Sequence, residues 1–196
     1  MRVSSLRAVL SGVLALSLAL ASGLGAGPEA RGEEGPVFEA PLLLTSAGQS
    51  PDVQLAVVLA KRAGIEHTLA KMAVAKDLAG AKTLGLVVGA SLKGLGAAGV
   101  DTAKEKDRVK ALLAAAAARG VPVLFLHLGG EQRRGELTDA MVAEYLPAAK
   151  MAVIVKSADH DGLFSKICRE RGIPLVAVEK TADVAEVLKG AFKPKA

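Results

Sequence analysis

The chain has 196 residues, enough for one domain with a hydrophobic core, and 51% of them are hydrophobic while only 3% are aromatic. Few aromatic rings are available to stack on bases or sugars, which disfavours nucleic-acid and carbohydrate binding. The formal net charge is +5; without Arg2 and Arg7, the 25 basic residues become 23 against 20 acidic ones, a net charge of +3. This mild charge predicts no nucleic-acid partner. The single Cys168 lies in an apolar helix pattern and is expected to be a core residue.

Residues 1–21 have the pattern of a signal peptide. Arg2 and Arg7 give a positively charged start, an apolar run follows over 8–20, and small residues around Ala21 suit cleavage. The run is short for a membrane span, so a retained anchor is the less favoured alternative. We therefore expect a periplasmic or extracellular protein that touches the membrane only through this segment.

The rest of the chain divides into a leader and a folded domain. Residues 22–40 are rich in Gly, Pro and Glu, which predicts a flexible leader. Residues 41–192 alternate apolar runs with helix patterns, which predicts a single α/β domain with right-handed crossovers. We expect a three-layer α/β/α sandwich with a five- or six-stranded, mostly parallel sheet, Rossmann-like or flavodoxin-like with strand order 2-1-3-4-5. Strands are predicted at 42–46, 65–69, 84–88, 121–128, 151–156 and 173–178.

Three helix starts carry capping signals. Ser50 precedes Pro51, the pattern of an N-cap followed by the first helical residue. Thr102 and Glu105 have the spacing of a capping box for the helix at 103–118. Thr181 is the expected cap of the last helix.

The stretch after the third strand is rich in glycine and is predicted to be a loop carrying Gly89, Gly94, Gly96 and Gly99. It contains GLGAAG, a formal match to the dinucleotide fingerprint. Ala90, Ser91, Leu92 and Lys93 intervene before this motif, the helix cap comes only at Thr102, and no acidic residue ends the next strand. We therefore expect no dinucleotide or flavin cofactor. A flexible turn and a backbone-amide cradle for a small anion remain as alternatives.

The sequence GASLK around Ser91 is similar to a nucleophile elbow. That turn needs Gly two positions after the Ser, where this chain has Lys93. Ser91 and Ser46 are therefore weak nucleophile candidates, with His127 as a candidate general base.

The segment HLGGEQRRG places His127 at the end of a buried strand, followed by Gly129 and Gly130 and then by Arg133 and Arg134. A guanidinium can hold a carboxylate or phosphate through two hydrogen bonds. The alternative is that both arginines are solvated and that His127 is a core residue.

The segment SADHDGLF clusters Asp159, His160 and Asp161 after another strand. Sequence neighbours diverge and no further ligand is evident, so we expect no metal site. Asp161 is interpreted as a helix cap that also lies at the ligand-binding edge.

The segment TSAGQSPD brings Ser46, Gly48, Gln49 and Ser50 to the start of the first crossover. Hydroxyl and amide groups near a helix N-terminus suit a carboxylate or a polar neutral group. Capping alone would also account for Ser50.

These four loops follow parallel strands and should share the carboxyl edge of the sheet, where ligands bind in such folds. The sequence thus predicts a protein that binds a small anionic or polar metabolite. The alternatives are a hydrolase or transferase using His127, and an interaction subunit for a membrane partner. The candidate ligand-binding residues are Ser46, Gly48, Gln49, Ser50, Lys93, Gly94, Gly96, His127, Gly129, Gly130, Arg133, Arg134 and Asp161.

With the stretches TSAGQSPD, GASLKGLGAAGVD, HLGGEQRRGELTD and DGLFSKICRERGIPL, the chain resembles an uncharacterised family of short exported bacterial α/β proteins, domain of unknown function family 6305. The resemblance covers nearly all of the chain after the signal peptide. It implies the fold and export. It implies no activity, substrate or catalytic residue.

Overall fold

The structure is a computed structural model, and it describes residues 37–194. These residues form a six-stranded parallel sheet with helices on both faces. The strands are β1 (Leu42–Ala47), β2 (His67–Leu69), β3 (Thr83–Val88), β4 (Val123–His127), β5 (Met151–Val155) and β6 (Leu175–Val178). The helices are α1 (Asp52–Arg62), α2 (Leu92–Ala97), α3 (Thr102–Ala118), α4 (Glu136–Tyr145), α5 (Leu163–Arg171) and α6 (Val184–Ala191).

The strand order is β2-β1-β3-β4-β5-β6, and every neighbouring pair is parallel. This confirms the predicted flavodoxin-like order, with the sixth strand beside β5. Because β1 connects outward to β2 while β3 connects the other way to β4, the connections diverge between β1 and β3. Such a switch point opens a crevice at the carboxyl ends of its two strands.

The sheet separates two hydrophobic layers. Successive residues of each strand face opposite sides of the sheet, as Leu43 and Leu44 do on β1. Leu43 belongs to the layer under α3, α4 and α5, with Leu112, Tyr145 and Phe164. Leu44 belongs to the layer under α1 and α6. All residues of β1, β3, β4 and β5 are buried, which is why their sequences are near-continuous apolar runs.

Cys168 lies in the layer under α5, where it is 3% exposed. The pKa of its thiol is raised to about 11, mainly by burial. The thiol therefore stays protonated near neutral pH and behaves as a small apolar side chain, in agreement with the sequence interpretation.

The amino-terminal boundary of the folded part differs from the prediction. The predicted signal peptide at 1–21 and most of the predicted leader lie outside the described residues. Residues 37–40 are not a flexible leader, because Phe38 is fully buried and stacks against Phe192 with ring centroids 5.5 Å apart. A β-bridge also joins these two residues. Within residues 37–194, no helix combines the length and apolar character needed to cross a membrane.

The predicted helix caps differ from those in the structure. Asp101, not Thr102, caps α3, with its carboxylate accepting from the backbone N–H of Lys104 at 2.8 Å. Thr181 lies in a short 3-10 turn before α6, and its hydroxyl donates to the carbonyl of Leu128. Ser50 lies one residue before the N-cap of α1, Pro51, although its hydroxyl accepts from the backbone N–H of Asp52, the first residue of the helix.

Candidate functional site

A cleft of about 510 Å³ lies at the carboxyl ends of β1 and β3, at the switch point of the sheet. We call it the β1/β3 cleft. Its walls come from the segments that follow β1, β2 and β3. The lining residues are Gln49, Ser50, Pro51, Lys71, Met72, Ser91, Lys93, Gly94, Ala97 and Ala98. None of these described residues is acidic.

The loops after β1 and β3 are joined backbone to backbone. The N–H of Ser91 donates to the carbonyl of Gly48 at 2.8 Å, and the N–H of Ser50 donates to that of Gly89 at 3.2 Å. Gly48 has φ +99°, and a Cβ on it would lie 2.6 Å from the Gly89 carbonyl oxygen. Only glycine fits this approach. The next residue, Gln49, also has positive φ, at 58°, which is uncommon for a residue with a side chain.

The central part of the predicted glycine loop, Leu92–Ala97, is instead the helix α2. The hydroxyl of Ser91 caps it by accepting from the backbone N–H of Gly94 at 3.0 Å. A Cβ on Gly94 would lie 2.0 Å from the carbonyl oxygen of Gln49, so glycine is required for α2 to pack against the β1 loop. A Cβ on Gly96 would meet nothing within 4 Å. Gly94 therefore lines the cleft, while Gly96, a predicted ligand-binding residue, does not.

A buried carboxylate lies beneath the cleft. Glu105 on α3 is fully buried, and its Oε1 accepts from the backbone N–H of Gly48 at 2.8 Å and from Gln49 Nε2 at 2.9 Å. Its Oε2 accepts from Arg108 Nε at 2.9 Å. Burial alone would raise the pKa of Glu105, but the hydrogen bonds from Arg108, Gly48 and Gln49 outweigh it and hold the pKa below its ordinary value. Glu105 is therefore ionised at neutral pH.

Sequence reasoning missed this role of Glu105 by assigning it to a capping box. A signal was present in the helix pattern. The other buried positions of α3 are Val109, Leu112 and Ala116, four, seven and eleven residues after Glu105. This spacing places Glu105 on the core-facing stripe of the helix, where a carboxylate needs a partner.

The β1/β3 cleft contains two cations, Lys71 and Lys93. Lys93 was predicted as a ligand-binding residue, whereas Lys71 was not singled out. Both are exposed, and in the described part of the chain neither lies within ion-pair distance of a carboxylate. Their charge is therefore available to a bound molecule.

Arg133, predicted to grip an anion, is in an ion pair. Its Nε lies 3.0 Å from Asp52 Oδ2, and Asp52 is buried at the first turn of α1. The Arg133 side chain also packs against Gly89 and Gly129, where a Cβ would lie 2.9 Å and 2.5 Å from its methylene carbons. Gly129 thus makes room for the Arg133 side chain.

Arg134 also forms ion pairs within the domain. Its side chain is 6% exposed and is shared between Asp139, at 2.5 Å, and Asp161, at 2.8 Å. It also donates to the carbonyl of Ala158 and lies over the ring of Phe164. The hydrogen bonds to Asp161 and Asp139 raise the pKa of Arg134.

Asp161 therefore holds Arg134 and does not face a free ligand site. Its carboxylate also accepts from the N–H of Leu163, the first residue of α5, at 3.1 Å, although the N-cap residue is Gly162 and not the predicted Asp161. Asp159 contributes as well, by accepting from the N–H of Phe164 at 2.8 Å. Within residues 37–194, no group of three or more His, Cys, Asp or Glu side chains is placed to hold a metal ion.

His127 is fully buried, and both ring nitrogens face backbone carbonyls. Nδ1 lies 3.0 Å from the Val88 oxygen and Nε2 lies 3.2 Å from the Gly130 oxygen. Burial lowers the pKa of the ring, outweighing the two carbonyl contacts that raise it. Gly130 has φ +60°. This geometry does not fit the predicted general base, because neither nitrogen points to a hydroxyl or into an open site.

Ser46, the second predicted nucleophile, is 1% exposed, and its hydroxyl has no hydrogen-bond partner among the described residues. A buried hydroxyl cannot reach a substrate in the β1/β3 cleft. Of the predicted set, the structure thus brings Gln49, Ser50, Lys93 and Gly94 to the cleft, whereas Arg133 is paired with Asp52 and Arg134 with Asp139 and Asp161.

The sequence model of the family described as "Domain of unknown function" (DUF6305) matches residues 39–192. The chain belongs to this family. The match spans every strand and helix of the sheet domain, including all three segments that form the β1/β3 cleft. No curated protein matches the chain in sequence.

Solved structures with weak similarity to the chain include a lipolytic protein and an esterase. A protein assigned to the lipolytic G-D-S-L family of Desulfitobacterium hafniense DCB-2 shows 13% identity and a TM-score of 0.33, with 70% of this chain and 75% of that chain covered. AlinE4, an SGNH-hydrolase family esterase, shows 11% identity and a TM-score of 0.29, with 72% and 76% covered. Similarity at this level carries no argument about the activity of this chain.

Proposed function

We propose that the protein binds a small anionic metabolite in the β1/β3 cleft and does so without catalysis. The observation that carries the proposal is the pair of lysines, Lys71 and Lys93, in a cleft whose lining contains no acidic residue among those described. The volume of about 510 Å³ falls in the range of small-molecule sites, roughly 300–1,000 Å³.

The neutral part of the lining supports a ligand with both polar and apolar parts. Ser91 and Gln49 are polar residues of the lining, while Met72, Ala97 and Ala98 are apolar. An organic acid or phosphate ester with a short aliphatic body would place its charge near the lysines and its carbons against this wall.

Export is part of the same proposal. It is supported by the charged start and apolar run of residues 1–21, which have the pattern of a cleaved signal peptide. An exported binding protein of this kind would meet its ligand outside the cytoplasm.

Differential scanning fluorimetry with matched anionic and neutral compounds tests the proposal. We expect phosphate esters or carboxylates to raise the melting temperature and their uncharged amides or alcohols to leave it unchanged. A ligand at one hundred times its Kd would add about 2.7 kcal/mol to the free energy of unfolding. The double variant Lys71→Gln with Lys93→Gln should lose this stabilisation.

The matched control changes two other exposed lysines, Lys61 and Lys150, to Gln. It removes the same total charge away from the β1/β3 cleft. If this control loses the stabilisation to the same extent, the effect is general electrostatics and the proposed site is wrong. Failure of every anion to stabilise the wild-type protein would contradict the proposed function itself.

A further inference from the structure

The ion pair of Glu105 and Arg108 contacts two of the three segments that form the β1/β3 cleft. Glu105 holds the backbone N–H of Gly48 and the side-chain amide of Gln49 in the β1 loop. Arg108 Nη2 donates to the carbonyl of Ser46 at 2.5 Å, at the end of β1. Its Nη1 donates to the carbonyl of Ala73 at 2.8 Å, in the segment after β2.

This ion pair is buried, with side-chain exposures of 8% for Arg108 and 0% for Glu105. Burying two charges has a large desolvation cost, which direct attraction and extra hydrogen bonds must offset. Here the extra hydrogen bonds go to the end of β1 and to the segments that follow β1 and β2. The pair thus stabilises the fold through the loops that it fixes, rather than through α3 alone.

The β1 loop needs such support because Gln49 lies in the left-handed region, at φ 58°. That conformation is unfavourable for a residue with a side chain and persists where surrounding contacts over-determine it. The hydrogen bond from Gln49 Nε2 to Glu105 supplies one of these contacts. The Gln49 carbonyl in turn lies against Gly94, so the position of α2, which carries Lys93, depends on the same residue.

The second lysine is tied to the same network. The carbonyl of Lys71 accepts from Thr45 Oγ1 at 3.1 Å and from Gln49 Nε2 at 3.4 Å. Ala73, two residues later, is held by Arg108. The backbone that carries Lys71 is therefore fixed from both sides by groups attached to the ion pair.

We infer that Glu105 and Arg108 are positioning residues of the anion site, which set where Lys71 and Lys93 stand relative to each other without touching the ligand. The inference rests on the proposed function for its ligand. According to this inference, the affinity of the β1/β3 cleft for anions depends on the buried pair, because the pair holds the segments that carry the two lysines.

A double-mutant cycle with inorganic phosphate as the probe tests this role. The variants are Glu105→Gln, Lys71→Gln and the two combined, with the Kd for phosphate measured by NMR titration at a temperature where all are folded. Glu105→Gln should raise the Kd for phosphate about tenfold. A change of this size is within the range of coupling energies between residues of one hydrogen-bond network. In that background Lys71→Gln should have less than a roughly twofold further effect, because Lys71 is no longer held in place.

Asp139→Asn is the matched control, since it breaks an ion pair to the buried Arg134 away from the cleft. It should lower stability and leave the phosphate Kd unchanged. A merely structural role for Glu105 predicts the same pattern for Glu105→Gln. If Glu105→Gln binds phosphate as tightly as the wild type, or if Lys71→Gln has equal effects in both backgrounds, the inference is overturned.

A readout without ligand separates this inference from the proposed function. Amide hydrogen exchange of Gly48 and the backbone chemical shifts of residues 71–73 should change in Glu105→Gln and stay unchanged in Asp139→Asn. Unchanged values in Glu105→Gln overturn the inference. If these values change while the wild type binds no phosphate, the proposed function fails and the positioning of the loops by the ion pair stands.

Arg108→Lys serves as a second variant if Glu105→Gln does not fold. Lysine keeps the charge beside Glu105 but cannot reach the carbonyls of Ser46 and Ala73 with one planar group. We expect weaker phosphate binding together with altered shifts at residues 71–73. Wild-type values for both measurements would overturn the inference.

Discussion

Gly94 lies so close to Gln49 that a Cβ on Gly94 would stand 2.0 Å from the Gln49 carbonyl oxygen. This contact joins the helix that carries Lys93 to the loop that is held by Glu105. The obstructing atom belongs to the backbone, so no side-chain rotation can relieve the overlap. Because Gly94 has no side chain, α2 can pack this closely on the β1 loop. This contact therefore sets the distance between the two walls of the β1/β3 cleft.

We predict that Gly94→Ala lowers the free energy of unfolding by about 1–3 kcal/mol, because overpacking must displace either α2 or the β1 loop. Urea denaturation measures this change. Gly96→Ala is the matched control on the same helix, since a Cβ there meets nothing within 4 Å. Alanine should stabilise that helical position by about 0.5–1 kcal/mol. Equal effects of the two substitutions would contradict the packing argument.

The two adjacent arginines should differ in their contribution to stability. Arg134→Met should lower the free energy of unfolding by about 2–3 kcal/mol, because it leaves Asp139, Asp161 and the Ala158 carbonyl without their shared donor. Arg133→Met should cost less, because the Arg133 side chain is 30% exposed and its buried partner Asp52 also lies in the first turn of α1, where the helix N-terminus stabilises a carboxylate. Neither change should alter phosphate binding in the cleft. A loss of phosphate binding in either variant would indicate that the anion binds at these arginines and not at the lysines of the cleft.

The strands and their order could be predicted because burial on both faces leaves a direct mark on the sequence. The residues of β3 and β4 are all buried, and their apolar runs are bounded by Gly and Pro. Alternation with helix patterns then favours a parallel sheet. Phe38 was missed because one buried aromatic residue beside a Gly-rich and Glu-rich stretch gives no periodic signal.

The glycine-rich segment after β3 could not be recognised as a helix from propensity. Gly94 and Gly96 both lower helix propensity, and only the Ser91 cap and the packing of Gly94 on Gln49 offset this. The packing partner lies 45 residues earlier in the chain, so no local pattern contains it.

The partners of the charged residues are also far away in the sequence. Adjacent arginines at a loop indicate an anion site only if no carboxylate reaches them first, and Asp52 lies 81 residues before Arg133. Glu105 and Gln49 are 56 residues apart. Cations that stay unpaired in the fold, such as Lys71, cannot be told from paired ones without the tertiary structure.

Phe38 gives a test of where the folded part begins. Phe38→Ala should lower the free energy of unfolding by about 3–5 kcal/mol, because it removes a fully buried ring that packs on Phe192. Val37, which is only partly buried, serves as the control, and Val37→Ala should cost less than about 1 kcal/mol. Both values come from chemical denaturation. A Phe38→Ala chain as stable as the wild type would mean that the folded part begins after this residue.

The burial of His127 makes stability depend on pH. Burial lowers the pKa of the ring below its ordinary 6.5, outweighing the carbonyls of Gly130 and Val88 that raise it. As pH falls through 6.5, the unfolded chain takes up the proton first while the folded ring stays neutral. The contribution of His127 to stability is therefore complete above this pH and is lost below it, by at most about 1.4 kcal/mol per pH unit.

His127→Asn isolates this contribution from the other titrating groups, which are common to both proteins. The variant should be less stable than the wild type near neutral pH, because it leaves the buried space of the ring unfilled. Below pH 6.5, the wild type should lose stability faster than the variant, so that the two curves of unfolding free energy converge. Urea denaturation in steps of pH measures both curves. Parallel curves would show that His127 has the same affinity for protons in the folded and unfolded states, and would contradict the lowering of its pKa by burial.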